Sequence, residues 1–97
     1  MKSLYVIVHA DSYTLKEDRN VAKEIRRIRR EESFVEVKNN PTKVEYEVPK
    51  GVRLLICGFY HGKEKWDHRC VDEQIKALRR KRHSPELYLK ATVSLDP

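Results

Sequence analysis

The start of the chain combines a buried-strand pattern with an amphipathic-helix pattern. Residues 4–8 form a nearly continuous apolar and β-branched run, which predicts a central strand covered on both faces. Thr14 and Glu17 have the spacing of a capping box and indicate a helix start. Three apolar residues then recur at i, i+4 and i+7: Val21, Ile25 and Ile28. This stripe would face the sheet, so the pattern predicts one βα unit.

The middle of the chain contains two short runs in which apolar and polar residues alternate. They cover residues 34–38 and 43–48, and such alternation is typical of strands with one face in water. The four residues between the runs, 39–42, are Asn, Asn, Pro and Thr, which favour a turn. We therefore predict two outer strands that form a hairpin.

A second βα unit follows. Residues 53–57 have the composition of another buried strand, and residues 58–68 predict a polar loop. Asp67 can cap a helix that opens near Cys70 and carries a stripe of Val71, Ile75 and Leu78. Residues 86–95 alternate well enough for a final strand. The predicted fold is a small α/β domain with a mainly parallel sheet, flanking helices and the order β-α-β-β-β-α-β, in which the first and fourth strands are parallel neighbours.

Composition limits the class of protein. The 97 residues make a single domain, because a chain of this length rarely divides into two cores. No apolar run approaches the roughly 20 residues that span a bilayer, and no signal-peptide pattern follows Met1, so we expect a cytoplasmic protein without a membrane partner. Charged residues make up 37% of the chain while glutamine occurs only at Gln74, a balance that resembles heat-adapted proteins. The two cysteines predict free thiols.

Polar residues follow both buried strands of the predicted parallel sheet. Residues just after parallel strands gather at the carboxyl edge, where open α/β proteins place their ligands. His9 and Asp11 come from the first unit. The second unit supplies the other candidate ligand-binding side chains: Tyr60, His61, Trp66 and His68. The pattern predicts a small-molecule site at this edge.

Cys70 is the candidate nucleophile of that site. It lies in the predicted first turn of a helix beside His68 and Arg69, where the helix dipole and positive charge would favour the thiolate. The alternative is a small apolar residue that packs under the sheet beside Val71.

The same stretch resembles a known enzyme family. Residues 54–58, Leu-Leu-Ile-Cys-Gly, a loop, and then Cys70 and Val71 at a helix start resemble the nucleophile region of the isochorismatase-like cysteine hydrolases. The resemblance implies a hydrolase in which Cys70 is the nucleophile, Asp11 stands at the end of the first strand and Lys43 is the third catalytic residue. The loop before Cys70 is longer than in that family, and the chain is shorter.

A zinc site is a second interpretation of the loop. Four side chains with soft or borderline ligand atoms occur close together in sequence: Cys57, His61, His68 and Cys70. Thiolate and imidazole ligands suit tetrahedral Zn²⁺, although the spacing is not that of common zinc fingers. The alternative is a set of unrelated loop residues and no cofactor.

The positive charge offers a third interpretation. The net charge is +6, and the bases cluster near the ends of both predicted helices. The candidate nucleic-acid-binding residues are Arg26, Arg27, Arg30, Arg79, Arg80 and Arg82. They would lie on the rim opposite the polar loops and could bind phosphates without sequence preference. Bases at helix C-termini also stabilise a helix by roughly 0.3–1 kcal/mol each without any partner. A further alternative is an interaction module in which residues 43–48 of two copies pair as a homodimer.

Overall fold

The computed structural model describes residues 2–10, 18–61 and 70–94, except for the side chains of Tyr60, His61 and Ser94. Four strands and two helices are present in these ranges, in the order β1 Ser3–Val8, α1 Arg19–Glu31, β2 Phe34–Val37, β3 Arg53–His61, α2 Cys70–Arg80 and β4 Glu86–Ser94.

The four strands form one sheet in the order β2-β1-β3-β4, and all three neighbouring pairs are parallel. The predicted α/β class with a parallel sheet is therefore confirmed. The predicted pairing of the first buried strand with the second is confirmed too, since Leu4 aligns with Leu54 and Val6 with Ile56. Strand order reverses between β1 and β3, and such a switch point is where open α/β sheets form a crevice.

The sheet separates two hydrophobic clusters. On one face, α1 contributes its predicted stripe of Val21, Ile25 and Ile28, which packs against strand residues such as Ile7 and Leu55. We call this the α1 face. On the other face, α2 contributes Val71, Ile75 and Leu78 to a cluster with Val6 and Ile56. We call this the α2 face.

The predicted strand over residues 43–48 is wrong, and so is the hairpin that depended on it, while a homodimer stays a prediction. This part of the chain is irregular and belongs to a crossing segment, residues 38–52, which connects β2 to β3. Because β2 and β3 are parallel and flank β1, this connection must pass over a face of the sheet. Val44, Tyr46 and Val48 are half-buried against the α2 face. Their alternation therefore reflects packing onto the core and not pairing in a sheet.

Gln74 fastens the crossing segment to α2. Its side chain is fully buried, and its Nε2 donates hydrogen bonds to the carbonyls of Pro41 at 2.7 Å and Lys43 at 3.0 Å. The Tyr46 hydroxyl donates to the Gln74 Oε1 at 2.6 Å. Since an irregular segment has few backbone partners of its own, these bonds replace the regular hydrogen bonding that a helix would supply there.

Other element bounds also differ from those predicted. Strand β3 continues through Gly58 to His61, so the residues expected to open the polar loop are in the sheet. Helix α1 begins at Arg19, and the Asp18 carboxylate caps it by accepting from the amides of Asn20 at 2.9 Å and Val21 at 3.2 Å. The predicted caps at residues 14–17 and at Asp67 lie outside the described residues. Within the described ranges, neither helix is long and apolar enough to cross a membrane.

Candidate functional site

The carboxyl edge has unusual backbone geometry where β1 and β3 end. His9, directly after β1, has a φ of 50°, which non-glycine residues seldom adopt. Gly58 in β3 has a φ of 118°, and a Cβ atom there would lie 2.1 Å from the Val8 carbonyl oxygen. Glycine is therefore required for the two strands to approach this closely.

The structure describes only some of the predicted ligand-binding residues of this edge. His9 is half-buried, and its amide donates to the Val37 carbonyl at 3.0 Å, which ties the end of β1 to β2. The backbones of Tyr60 and His61 belong to β3, while Trp66 and His68 lie outside the described residues. A small-molecule site at this edge stays a prediction.

The convergence of the predicted catalytic residues stays a prediction. Asp11 lies outside the described ranges. The Lys43 carbonyl contacts Gln74, and Lys43 lines a groove of about 360 Å³ with Ala77 and Arg80, in the later turns of α2. Cys70 is the first residue of that helix. Gln74 lies one helical turn after Cys70 and Ala77 lies about 10 Å after it at 1.5 Å per residue, so the Lys43 backbone lies beside the middle of α2.

The environment of Cys70 differs from that of an activated nucleophile. The side chain is half-buried against the α2 face. Burial raises the pKa of Cys70 above its ordinary value; a hydrogen bond from its own backbone amide lowers it less, and the Glu73 charge adds to the rise. In these surroundings the desolvation of the thiolate outweighs the favourable position at a helix start. His68 and Arg69, whose positive charge was also expected to lower the pKa of Cys70, lie outside the described residues.

The two cysteines of the predicted zinc site do not converge, and the side chains of His61 and His68 lie outside the described part of the structure. Cys57 is fully buried on the α1 face, where its thiol donates to the Val6 carbonyl at 3.6 Å. Cys70 packs on the α2 face, so the two sulfur atoms lie on opposite sides of the sheet. Both cannot be about 2.3 Å from one zinc ion. In the part of the chain that the structure describes, no group of three metal-ligating residues occurs.

The opposite, amino edge gathers basic side chains. Helix α1 ends there, since the Tyr5 amide at the start of β1 donates to the Ser33 carbonyl just after the helix. Helix α2 ends there too, since it leads through residues 81–85 into the start of β4. The predicted placement of both basic clusters on one rim is confirmed, with the sheet between them.

The predicted nucleic-acid-binding arginines of α1 divide into two kinds. Arg26 and Arg30 are exposed. Arg27 instead folds back onto the buried Glu24: its Nε lies 2.8 Å from Oε1 and its Nη2 3.0 Å from Oε2. Hydrogen bonds from Arg27 first, and from Tyr88, outweigh burial and lower the pKa of Glu24 to about 2. Arg27 is therefore occupied inside the protein and is the weakest candidate of the set.

The basic end of α2 points into solvent and closes with a specific backbone motif. Arg79, Arg80, Lys81 and Arg82 are all exposed. The His83 amide donates to the Leu78 carbonyl at 3.0 Å and the Arg82 amide to the Arg79 carbonyl at 2.9 Å, which is the hydrogen-bond pattern of a Schellman cap. Arg82 occupies the left-handed position of that cap, with a φ of 67°. Glycine is the residue that this position favours.

The sequence patterns did not identify two basic surface residues of α1, or the role of Arg29 in holding this helix to the sheet. Arg19 and Lys23 are exposed on the same side of α1 as Arg26 and Arg30, but their isolation in sequence hid this relation. The i, i+4, i+7 spacing used for apolar residues would have revealed it. Arg29 is the anchor: its guanidinium donates to the Ala10 carbonyl at 2.9 Å and to the Glu36 carboxylate at 3.1 Å, so it joins α1 to β2 and to the end of β1.

Comparisons with models of known families, with curated proteins and with solved structures gave no match. The resemblance to the isochorismatase-like hydrolases therefore stays a prediction.

Proposed function

We propose that the protein binds nucleic acid through the phosphate backbone, without sequence preference, using the exposed bases at the amino edge. The net charge of +6 favours polyanionic partners, and the bases at the ends of both helices face solvent on one edge. Guanidinium groups suit this role because they are always charged and hydrogen-bond phosphate in a bidentate manner.

Arg82 is the observation that carries the proposal. A left-handed conformation costs a residue with a Cβ atom roughly 1–2 kcal/mol, and glycine at this point in a Schellman cap avoids that cost. Stability of the helix therefore does not account for an arginine at this position, whereas the helix dipole accounts for Arg79 and Arg80. A basic residue that occupies this position despite its backbone cost supports a role for its charge at the surface.

The catalytic interpretation receives less support from the described residues. The pKa of Cys70 is raised, and Asp11 lies outside the described residues. Binding to a polyanion needs neither a lowered thiol pKa nor the convergence of these side chains.

Replacing Arg82 should have opposite effects on stability and on binding, and the test measures both. We expect Arg82→Gly to raise the free energy of unfolding by up to about 1 kcal/mol, since it relieves the backbone. The same change should weaken binding to a mixed-sequence DNA duplex and lower the slope of log K against log salt by about 0.9. Fluorescence anisotropy at several salt concentrations measures binding, and urea denaturation measures stability.

Lys38→Gln is the matched control, because it removes one charge from an exposed base at the other end of the sheet. It should affect binding less than Arg82→Gly does. Equal binding by wild type, Arg82→Gly and a variant that also carries Arg79→Gln and Arg80→Gln would overturn the proposal, as would the absence of binding at 50 mM salt.

A further inference from the structure

Four exposed bases form a continuous stripe along the outer side of α1. They are Arg19, Lys23, Arg26 and Arg30. Their spacing of four, three and four residues places them on one helix face, opposite the buried Val21, Ile25 and Ile28. From Arg19 to Arg30 the stripe spans twelve residues, about 16 Å along the helix axis. It therefore extends well beyond the basic cluster at the amino edge.

Helix stability does not account for the first half of this stripe. Arg19 is the first residue of α1, where the helix dipole disfavours positive charge, and no acidic residue occupies the first turn. Helix α2 shows the usual arrangement, with Asp72 and Glu73 in its first turn. The bases in the last turns of both helices have an ordinary electrostatic explanation, but Arg19 does not.

The carboxylates that the structure describes do not neutralise the first half of the stripe either. Among the residues that the structure describes, none makes an ion pair with Arg19, Lys23 or Arg26. The Asp18 carboxylate is engaged in capping the helix, and Glu24 is buried under Arg27. Glu31 lies at the far end, 3.9 Å from Arg30. The stripe thus presents net positive charge along its length.

We infer that the outer side of α1 is the surface along which the nucleic acid lies, and that the partner is double-stranded. This inference rests on the proposed function. A length of 16 Å corresponds to about five base pairs at 3.4 Å each, so the phosphates of a duplex can contact the basic side chains from Arg19 to Arg30. Neither α1 nor α2 contains an aromatic residue. Proteins that bind single strands stack the nucleobases on aromatic side chains, whereas these helices present charged side chains and no aromatic ring.

The experiment uses Arg19→Gln combined with Lys23→Gln, since these two bases lie outside the amino-edge cluster. The control, Lys38→Gln combined with Lys76→Gln, removes the same charge from two exposed positions, one after β2 and one on α2 across the sheet from α1. Each protein is titrated with a mixed-sequence 20-base-pair duplex and with one of its strands, in steps from 50 to 200 mM salt.

We expect the α1 variant to lower the slope of log K against log salt by about 1.8, since two phosphate contacts are lost. For two proteins that bind equally at 1 M salt, this difference in slope makes the variant bind up to roughly 60-fold more weakly than wild type at 0.1 M salt. The control should change the affinity much less. The melting temperature of the α1 variant should be unchanged or slightly higher, because Arg19 opposes the helix dipole.

The possible failures are distinguishable. If the α1 variant binds duplex like the control while Arg82→Gly does not, the stripe is not the contact surface and the proposed function survives. If the single strand binds as tightly as the duplex, the assignment of a double-stranded partner is wrong. If wild type binds neither, the proposed function itself fails.

Discussion

The two faces of the sheet each bury one polar side chain that holds a covering element, but the two side chains are of different kinds. On the α1 face the centre is Glu24, a carboxylate whose side chain is 6% exposed and which accepts from Arg27 and from the Tyr88 hydroxyl. On the α2 face the centre is Gln74, a neutral amide that is fully buried and holds the crossing segment. An ionised side chain therefore links α1 to the sheet on one face, and a neutral amide links the crossing segment to α2 on the other.

The difference matters because the two centres respond differently to conditions. A buried carboxylate depends on its ionisation and on the cation that compensates it, so its contribution depends on pH. The aromatic rings beside it, Tyr5 and Tyr88, meet edge to face with their centroids 5.3 Å apart, and burial together with the bond to Glu24 raises the pKa of Tyr88 to about 12. The amide of Gln74 does not titrate, so the α2 face should be insensitive to acid.

The largest effect should come from Glu24→Ala. The change leaves Arg27 without its bidentate partner and the Tyr88 hydroxyl without its acceptor, and it opens a cavity under α1. Breaking a buried ion pair costs about 3–5 kcal/mol. Because the Arg27 side chain is one-third exposed and can turn toward water, we expect the lower end of that range. Urea denaturation at pH 7 measures the loss.

Glu24→Gln is the control for this substitution. It keeps an oxygen that can accept from Tyr88 and leaves no cavity, so it should cost less than Glu24→Ala. A loss below about 1 kcal/mol for Glu24→Ala would mean that the charged centre contributes little and that apolar packing holds the α1 face.

Acid should weaken the α1 face selectively. The pKa of Glu24 falls from an ordinary 4.5 to about 2 in the folded protein, so the folded state favours the ionised form. The resulting stability is fully present above pH 4.5 and is lost as the pH falls toward 2. At 1.36 kcal/mol per unit the loss amounts to about 3 kcal/mol. Stability measured from pH 6 to pH 2 should show this decline in wild type and much less of it in Glu24→Gln; equal declines would place the titrating group elsewhere.

Most of the regular architecture follows from patterns that are local in sequence. The continuous run at residues 4–8 predicted the central strand, and the spacing of Val21, Ile25 and Ile28 predicted the buried side of α1. These predictions succeed because the period of the apolar residues matches the period of the element that buries them.

The rest of the structure depends on contacts between residues distant in sequence. Residues 43–48 alternate like a strand, yet their backbone is held by Gln74, about 30 positions later in the chain. The pairing of Glu24 with Tyr88 across 64 positions is equally invisible to a periodic pattern. For the candidate site, sequence identified the two basic helix ends, but it could not show that Arg27 is occupied or that the two cysteines lie on opposite faces.

The smallest of the three effects should come from Gln74→Ala, which tests the neutral centre. The change removes three hydrogen bonds, but the carbonyls of Pro41 and Lys43 lie near the surface and can bind water instead. We therefore expect a loss of about 2–3 kcal/mol in urea denaturation at pH 7. Tyr46→Phe, which deletes only the hydroxyl that donates to Gln74, should cost about 1 kcal/mol.

Both variants should retain the acid-induced decline of wild type, because Glu24 is untouched on the opposite face. A Gln74→Ala protein that loses this decline would show that the two centres are coupled through the sheet, and the contrast between the faces would then not hold.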